Sequence, residues 1–187
     1  MLREALGISL VQAGFLISMV QLAGLTLAVF MGLLADGMGL KRSMVRGLLL
    51  LALASAAGAL ATSVQALLLL RAMEGLGFLL VALPAPALIR RLVPPQQLSG
   101  MLGVWGAYMP TGTALALLAG PLFIPAWGWG AWWGLFALAS LAMALWVWRV
   151  IPADPEADAS PLAGLADRLV RTLGARGPWL VALTFGL

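Results

Sequence analysis

The sequence predicts an all-α integral membrane protein, and composition, run length and charge placement carry that expectation. Apolar residues make up 63% of the 187 residues, charged residues 10%, and the mean hydropathy is +1.03. A soluble domain of this size needs far more polar surface. Apolar runs recur at the length needed to cross a hydrocarbon core of roughly 30 Å. Basic residues collect in alternate loops between those runs, as membrane topology requires. The pI of about 11.1 therefore reads as topology rather than as a nucleic-acid surface, because the cations are dispersed among loops. The chain has no cysteine and no histidine. That excludes disulfide scaffolds, zinc sites with Cys or His ligands, and Cys/His or Ser/His catalytic pairs. No cofactor, metal or nucleic-acid partner is expected.

Residues 1 to 9 form a short lead carrying Arg3 and Glu4. The first span is expected from about Leu10 to Met31, too long for a signal-peptide core. Gly14, Ser18 and Gly24 give it small positions for close packing. A short charged turn follows, Gly32 to Arg42, with Arg46 one turn further on. Gly37 and Gly39 allow a sharp reversal, since glycine takes positive φ without a steric penalty. Asp36 can accept N–H bonds at the next helix start or pair with a nearby arginine. The second span is expected over about Met44 to Ala61, followed by an uncharged turn, Thr62 to Gln65. The third, about Ala66 to Ile89, contains Arg71 and Glu74 and ends at Arg90 and Arg91. The fourth, about Met101 to Phe123, contains Tyr108, Pro110, Thr111 and Thr113. A second uncharged turn, Pro125 to Gly130, has tryptophans in and just after it that suit an interfacial belt. The fifth span runs to about Trp148 and stops at Arg149.

Lys41, Arg42, Arg46, Arg90, Arg91, Arg149, Arg168, Arg171 and Arg176 then fall on one side, and Arg3 alone on the other. The first side is expected to be the cytoplasm, with the protein multi-pass in the plasma or inner membrane of a cell. Residues 151 to 178 read as a cytoplasmic linker. It has a flexible start at Pro152 to Asp158 and a helix opening at Ser160–Pro161. Leu162, Leu165, Leu169, Val170 and Leu173 share one face of the helix that follows. Such an amphipathic helix either lies along the membrane or packs on the protein. Residues 179 to 187 read as the start of a further span, cut short.

The order of residues in the first basic turn, with Gly32, Leu34, Ala35, Asp36, Gly39, Lys41 and Arg42, resembles the loop between spans two and three of the major facilitator superfamily. The pattern there is G-x-L-A-D-R-x-G-R-[KR], with Gly37 and Leu40 standing here for two arginines. Arg71, Glu74, Gly75 and Gly77 resemble the fourth-span motif R-x-x-Q-G-x-G, with Glu74 for the glutamine. Ala116 to Pro121 looks like part of the fifth-span motif G-x-x-x-G-P, matching at Gly120 and Pro121. The resemblance implies a partial N-terminal half of a major facilitator-type helix bundle. Residues 1–150 would hold five spans, lacking the family's first, and the C-terminal half of the protein would be missing. It also implies secondary transport of a small solute by alternating access, with Asp36 and Arg90 or Arg91 latching the inner side.

An ionisable group at mid-bilayer costs roughly 3 kcal/mol or more and marks a functional site by default. Arg71 and Glu74 are three apart and share a helix face. They read either as a structural ion pair or as a site where Arg71 attracts an anionic or polar substrate and Glu74 exchanges a proton as coupling ion. Tyr108, Thr111 and Thr113 are further polar groups for a substrate pathway, though threonines in spans also bond their own backbone. Pro84, Pro86, Pro110, Gly120 and Pro121 are positions for helix bending. A non-transporting membrane scaffold or receptor is the alternative. An intramembrane enzyme lacks a partner for Glu74, the only acid well inside a span.

Overall fold

The computed structural model describes residues 9–154, 165–175 and 177. The lead before residue 9, the linker start at 155–159, the Ser160–Pro161 opening and the run from 178 onward lie outside the described residues. Seven α-helices are present among those described: α1 Leu10–Met38, α2 Leu40–Ala59, α3 Val64–Ala82, α4 Ala85–Leu92, α5 Leu98–Gly106, α6 Tyr108–Val150 and α7 Leu165–Gly174. Ser9 opens α1 with a capping box: its Oγ accepts the Gln12 N–H and Gln12 Oε1 accepts the Ser9 N–H. Ser63 opens α3 by accepting the Ala66 N–H at 3.2 Å.

The first basic turn is shorter than expected. α1 continues through Gly32, Leu34, Ala35, Asp36 and Gly37, and only Gly39 leaves the helix, at φ 91°, ψ 144°. The small and apolar residues before it satisfy the helical hydrogen-bond ladder, so the reversal needs one left-handed glycine, not two. The third span breaks in two at Leu83–Pro84. Pro84 has no N–H, so the Leu80 carbonyl lacks its helical donor and instead accepts the Ser43 hydroxyl of α2 at 3.0 Å. The fourth span also breaks, at Ala107, where one N–H is shared between the Gly103 and Val104 carbonyls at 3.2 Å each. Pro110 then sits in the first turn of α6, where a missing N–H costs nothing.

Within α6 the chain reverses at Gly128 (φ 83°, ψ 163°). A Cβ placed on Gly120 would lie 3.9 Å from Trp132 Cζ2, whereas a straight helix separates residues twelve apart by about 18 Å. The uncharged turn expected over 125–130 is therefore a single-residue reversal with two arms, 108–127 and 129–150.

α2 is the central element. It packs antiparallel to α3 on one side and to the 129–150 arm on the other, and α1 covers α3. The α2–α3 contact is close because it runs through glycines: a Cβ on Gly47 would stand 2.7 Å from the Gly77 carbonyl oxygen. Buried apolar side chains lie mainly between α1 and α3, with Met31, Met38, Leu79 and Leu80 toward the basic end and Leu16 with Leu67 toward the other. Elsewhere leucines face outward, among them Leu53, Leu69 and Leu138, as a hydrocarbon solvent allows. Leu40–Ala59, Val64–Leu92 and Pro95–Val150 are long and apolar enough to cross a membrane. α7 touches α1 and leaves Val170 71% exposed.

Candidate functional site

The two charged residues at membrane depth, Arg71 and Glu74, meet where α2, α3 and the 129–150 arm converge. Glu74 stands ten residues into α3, roughly 15 Å along its axis, and is 6% exposed. One carboxylate oxygen, Oε2, pairs with Arg71 Nη2. The other, Oε1, accepts the Ser55 hydroxyl of α2 at 2.7 Å. The glycine contact one to two turns away brings the two backbones near enough for so short a side chain to reach. The Arg71 guanidinium also lies over the Trp133 ring, 4.9 Å from its centroid, a contact worth about 1 kcal/mol or more when desolvated. Its Nε is buried with no hydrogen-bond partner among the described residues.

These groups border a cavity of about 340 Å³, walled also by Leu51, Trp132, Phe136 and Ser140. The site is thus a neutral ion pair with one spare donor, beside an aromatic wall. Sequence reasoning placed Arg71 and Glu74 together and missed Ser55 and Trp133. Ser43, Gly47 and Ser55 recur at multiples of four in α2, and that spacing was the signal for Ser55. Tyr108, Thr111 and Thr113 do not line this cavity. Tyr108 is 39% exposed and packs near Trp105 and Phe78, with ring centroids 5.4 and 6.2 Å away. Thr111 and Thr113 are exposed on the 108–127 arm. Gly120 and Pro121 border a separate cavity against Trp129 and Trp132.

A second polar cluster closes the basic end. Asp154, with its side chain 2% exposed, accepts the backbone N–H groups of Lys41 and Arg42 at 3.0 Å each. It thereby caps α2 from a distant part of the chain, the role expected of Asp36. Asp36 is held in the last turn of α1 and is exposed. Arg91 Nη1 lies 3.3 Å from Asp154 Oδ1, and its Nη2 donates to the Ala153 carbonyl at 2.8 Å. Arg91 is thus paired with Asp154, while Arg90 is exposed. Gly39 makes room for this cap, because a Cβ there would lie 2.5 Å from Asp154 Oδ2. Pro84 and Pro86 sit at the α3–α4 break, with Pro84 buried.

The helical spans, the glycine-mediated seam and the motif residues at the basic end define a multi-pass membrane protein of the helix-bundle class. A family model described as Major Facilitator Superfamily matches residues 1–187, and the chain belongs to that superfamily. Its members are transporters. Among curated proteins no match is found.

Proposed function

We propose that the chain forms part of a secondary active transporter that moves a small solute by alternating access, with Glu74 as the group that takes up and releases a proton. The observation that carries this reading is a buried carboxylate at membrane depth, shared between Arg71 and Ser55 and bordering a cavity. As an anion, Glu74 neutralises Arg71, so neither charge stands alone in the bilayer. A proton on Glu74 removes that counter-charge and leaves the guanidinium, steadied on Trp133, to hold an acceptor group of the solute. Proton and solute are thereby linked through one arginine, and rocking of this bundle against a partner half would carry both across. The basic face would be cytoplasmic, in the plasma or inner membrane.

The test uses the full-length transporter in proteoliposomes loaded with a pH-sensitive dye and challenged with a panel of small organic anions and polar solutes. The parent protein should acidify the lumen with at least one solute. Glu74→Gln should abolish that proton movement while retaining solute exchange at equal pH. Proton movement undiminished in Glu74→Gln would remove Glu74 from the mechanism.

A further inference from the structure

The geometry points to a binding site for an anionic phospholipid at the basic end of the seam between α2 and the 129–150 arm. Lys41, Arg42 and Arg46 line a concavity of about 270 Å³ together with Val45, Trp148 and Asp154. Among the described residues Asp154 is the one acid lining it, and both its oxygens are already engaged by backbone N–H groups and by Arg91. Two of the three cations also touch neutral groups. Lys41 Nζ donates to the Ile151 carbonyl, and Arg46 Nη1 lies 3.0 Å from Met38 Sδ, a weak acceptor. Arg42 and Arg46 are exposed. Among the described residues that line the concavity, three cations stand against one occupied carboxylate. The N–H groups that open α2 are capped, so an anion here would be held by side chains.

A second, apolar groove of about 300 Å³ adjoins this one and shares Val45 and Trp148 with it. Its walls are Leu49, Leu141, Ala144 and Leu145. From Trp148 back to Leu141 it extends along the seam by roughly 10 Å. A ligand that fills both spaces carries an anionic group at one end and a hydrocarbon chain at the other. Basic pockets between membrane helices on the cytoplasmic side are suited to such head groups, and an interfacial tryptophan marks the depth where head group and chain join. The lipid occupies the outward surface of the seam, separate from the Arg71–Glu74 cavity, and its binding is independent of the transport reading.

The experiment is native mass spectrometry of the delipidated full-length transporter, titrated with phosphatidylglycerol or with phosphatidylcholine of the same acyl chains. Phosphatidylglycerol should bind about tenfold more tightly, and the double variant Arg42→Gln/Arg46→Gln should lose that preference. Leu145→Trp, which fills the groove and leaves the charge untouched, should weaken phosphatidylglycerol binding several-fold. Glycerol 3-phosphate in hundredfold excess should fail to displace the lipid. Equal binding of the two lipids would overturn the site, as would an unchanged preference in the double variant or no effect of Leu145→Trp. Displacement by glycerol 3-phosphate would equally overturn it, by showing a small-anion site with no role for the groove.

Discussion

Gly39 and Asp154 depend on each other in space. The glycine supplies both a backbone at φ 91° and the room in which a remote carboxylate reaches the first N–H groups of α2. Gly39→Ala introduces left-handed strain of about 1–2 kcal/mol and a clash with Asp154. It should lower the melting temperature of the detergent-purified transporter, followed by intrinsic tryptophan fluorescence. Gly37→Ala, at a helical position, should lower it less; equal losses would mean that the turn does not rest on Gly39. At this scale the motif glycine was readable, because its residue type reports a backbone requirement. Asp154 was not. An acid flanked by prolines has the composition of a loose linker, and only the fold shows that it lies against a helix start 113 residues earlier. Ser55 escaped notice because its spacing from Ser43 and Gly47 marks a helix face but does not name the partner that the face meets.

The α2–α3 seam is built on what is absent from Gly47 and Gly77. A methyl group on Gly77 would sit 2.9 Å from the Gly47 carbonyl and 3.0 Å from Leu51 Cγ, while one on Gly134 would meet nothing within 4 Å. Gly77→Ala should therefore destabilise the bundle by roughly 1–3 kcal/mol through overpacking. Gly134→Ala should be neutral or slightly stabilising, since alanine suits a helix better. Thermal unfolding of the two variants side by side checks this, and similar shifts would contradict the seam. Helix existence followed from hydrophobic run length. The breaks were only partly legible: Pro84 announces one, but Pro110 displaces its break to Ala107, a turn earlier. The continuation of α1 to Met38 was hidden because charge and glycine in a short segment look like a loop, although Asp36 and Gly37 remain helical.

Across the whole molecule, the basic termini of three antiparallel segments come together: Lys41 and Arg42 from α2, Arg91 from α4, and residues 151–154 after α6. This convergence agrees with the alternation inferred from charge alone, where successive loops swap sides. These 187 residues contain no cysteine, so within them a single introduced thiol is the one site of labelling. Arg42→Cys and Arg90→Cys should label with an impermeant maleimide from one face of the membrane, and Gln65→Cys from the other. Labelling of positions 42 and 90 from opposite faces would invalidate the topology. Positive charge marks the ends of spans, which is why the convergence of these basic ends could be read in advance. The contents of the cavity could not, because Trp133 reaches Arg71 only after the chain has reversed at Gly128.

The Asp154 knot has a mechanical corollary. One buried carboxylate fastens the starts and ends of three segments, so their rims are expected to tilt as a single plate. Flexing is then left to joints outside that plate, among them the exposed Ala107 and Gly128. A working cycle would show fixed distances among positions 42, 91 and 153, and changing ones between either joint and the plate.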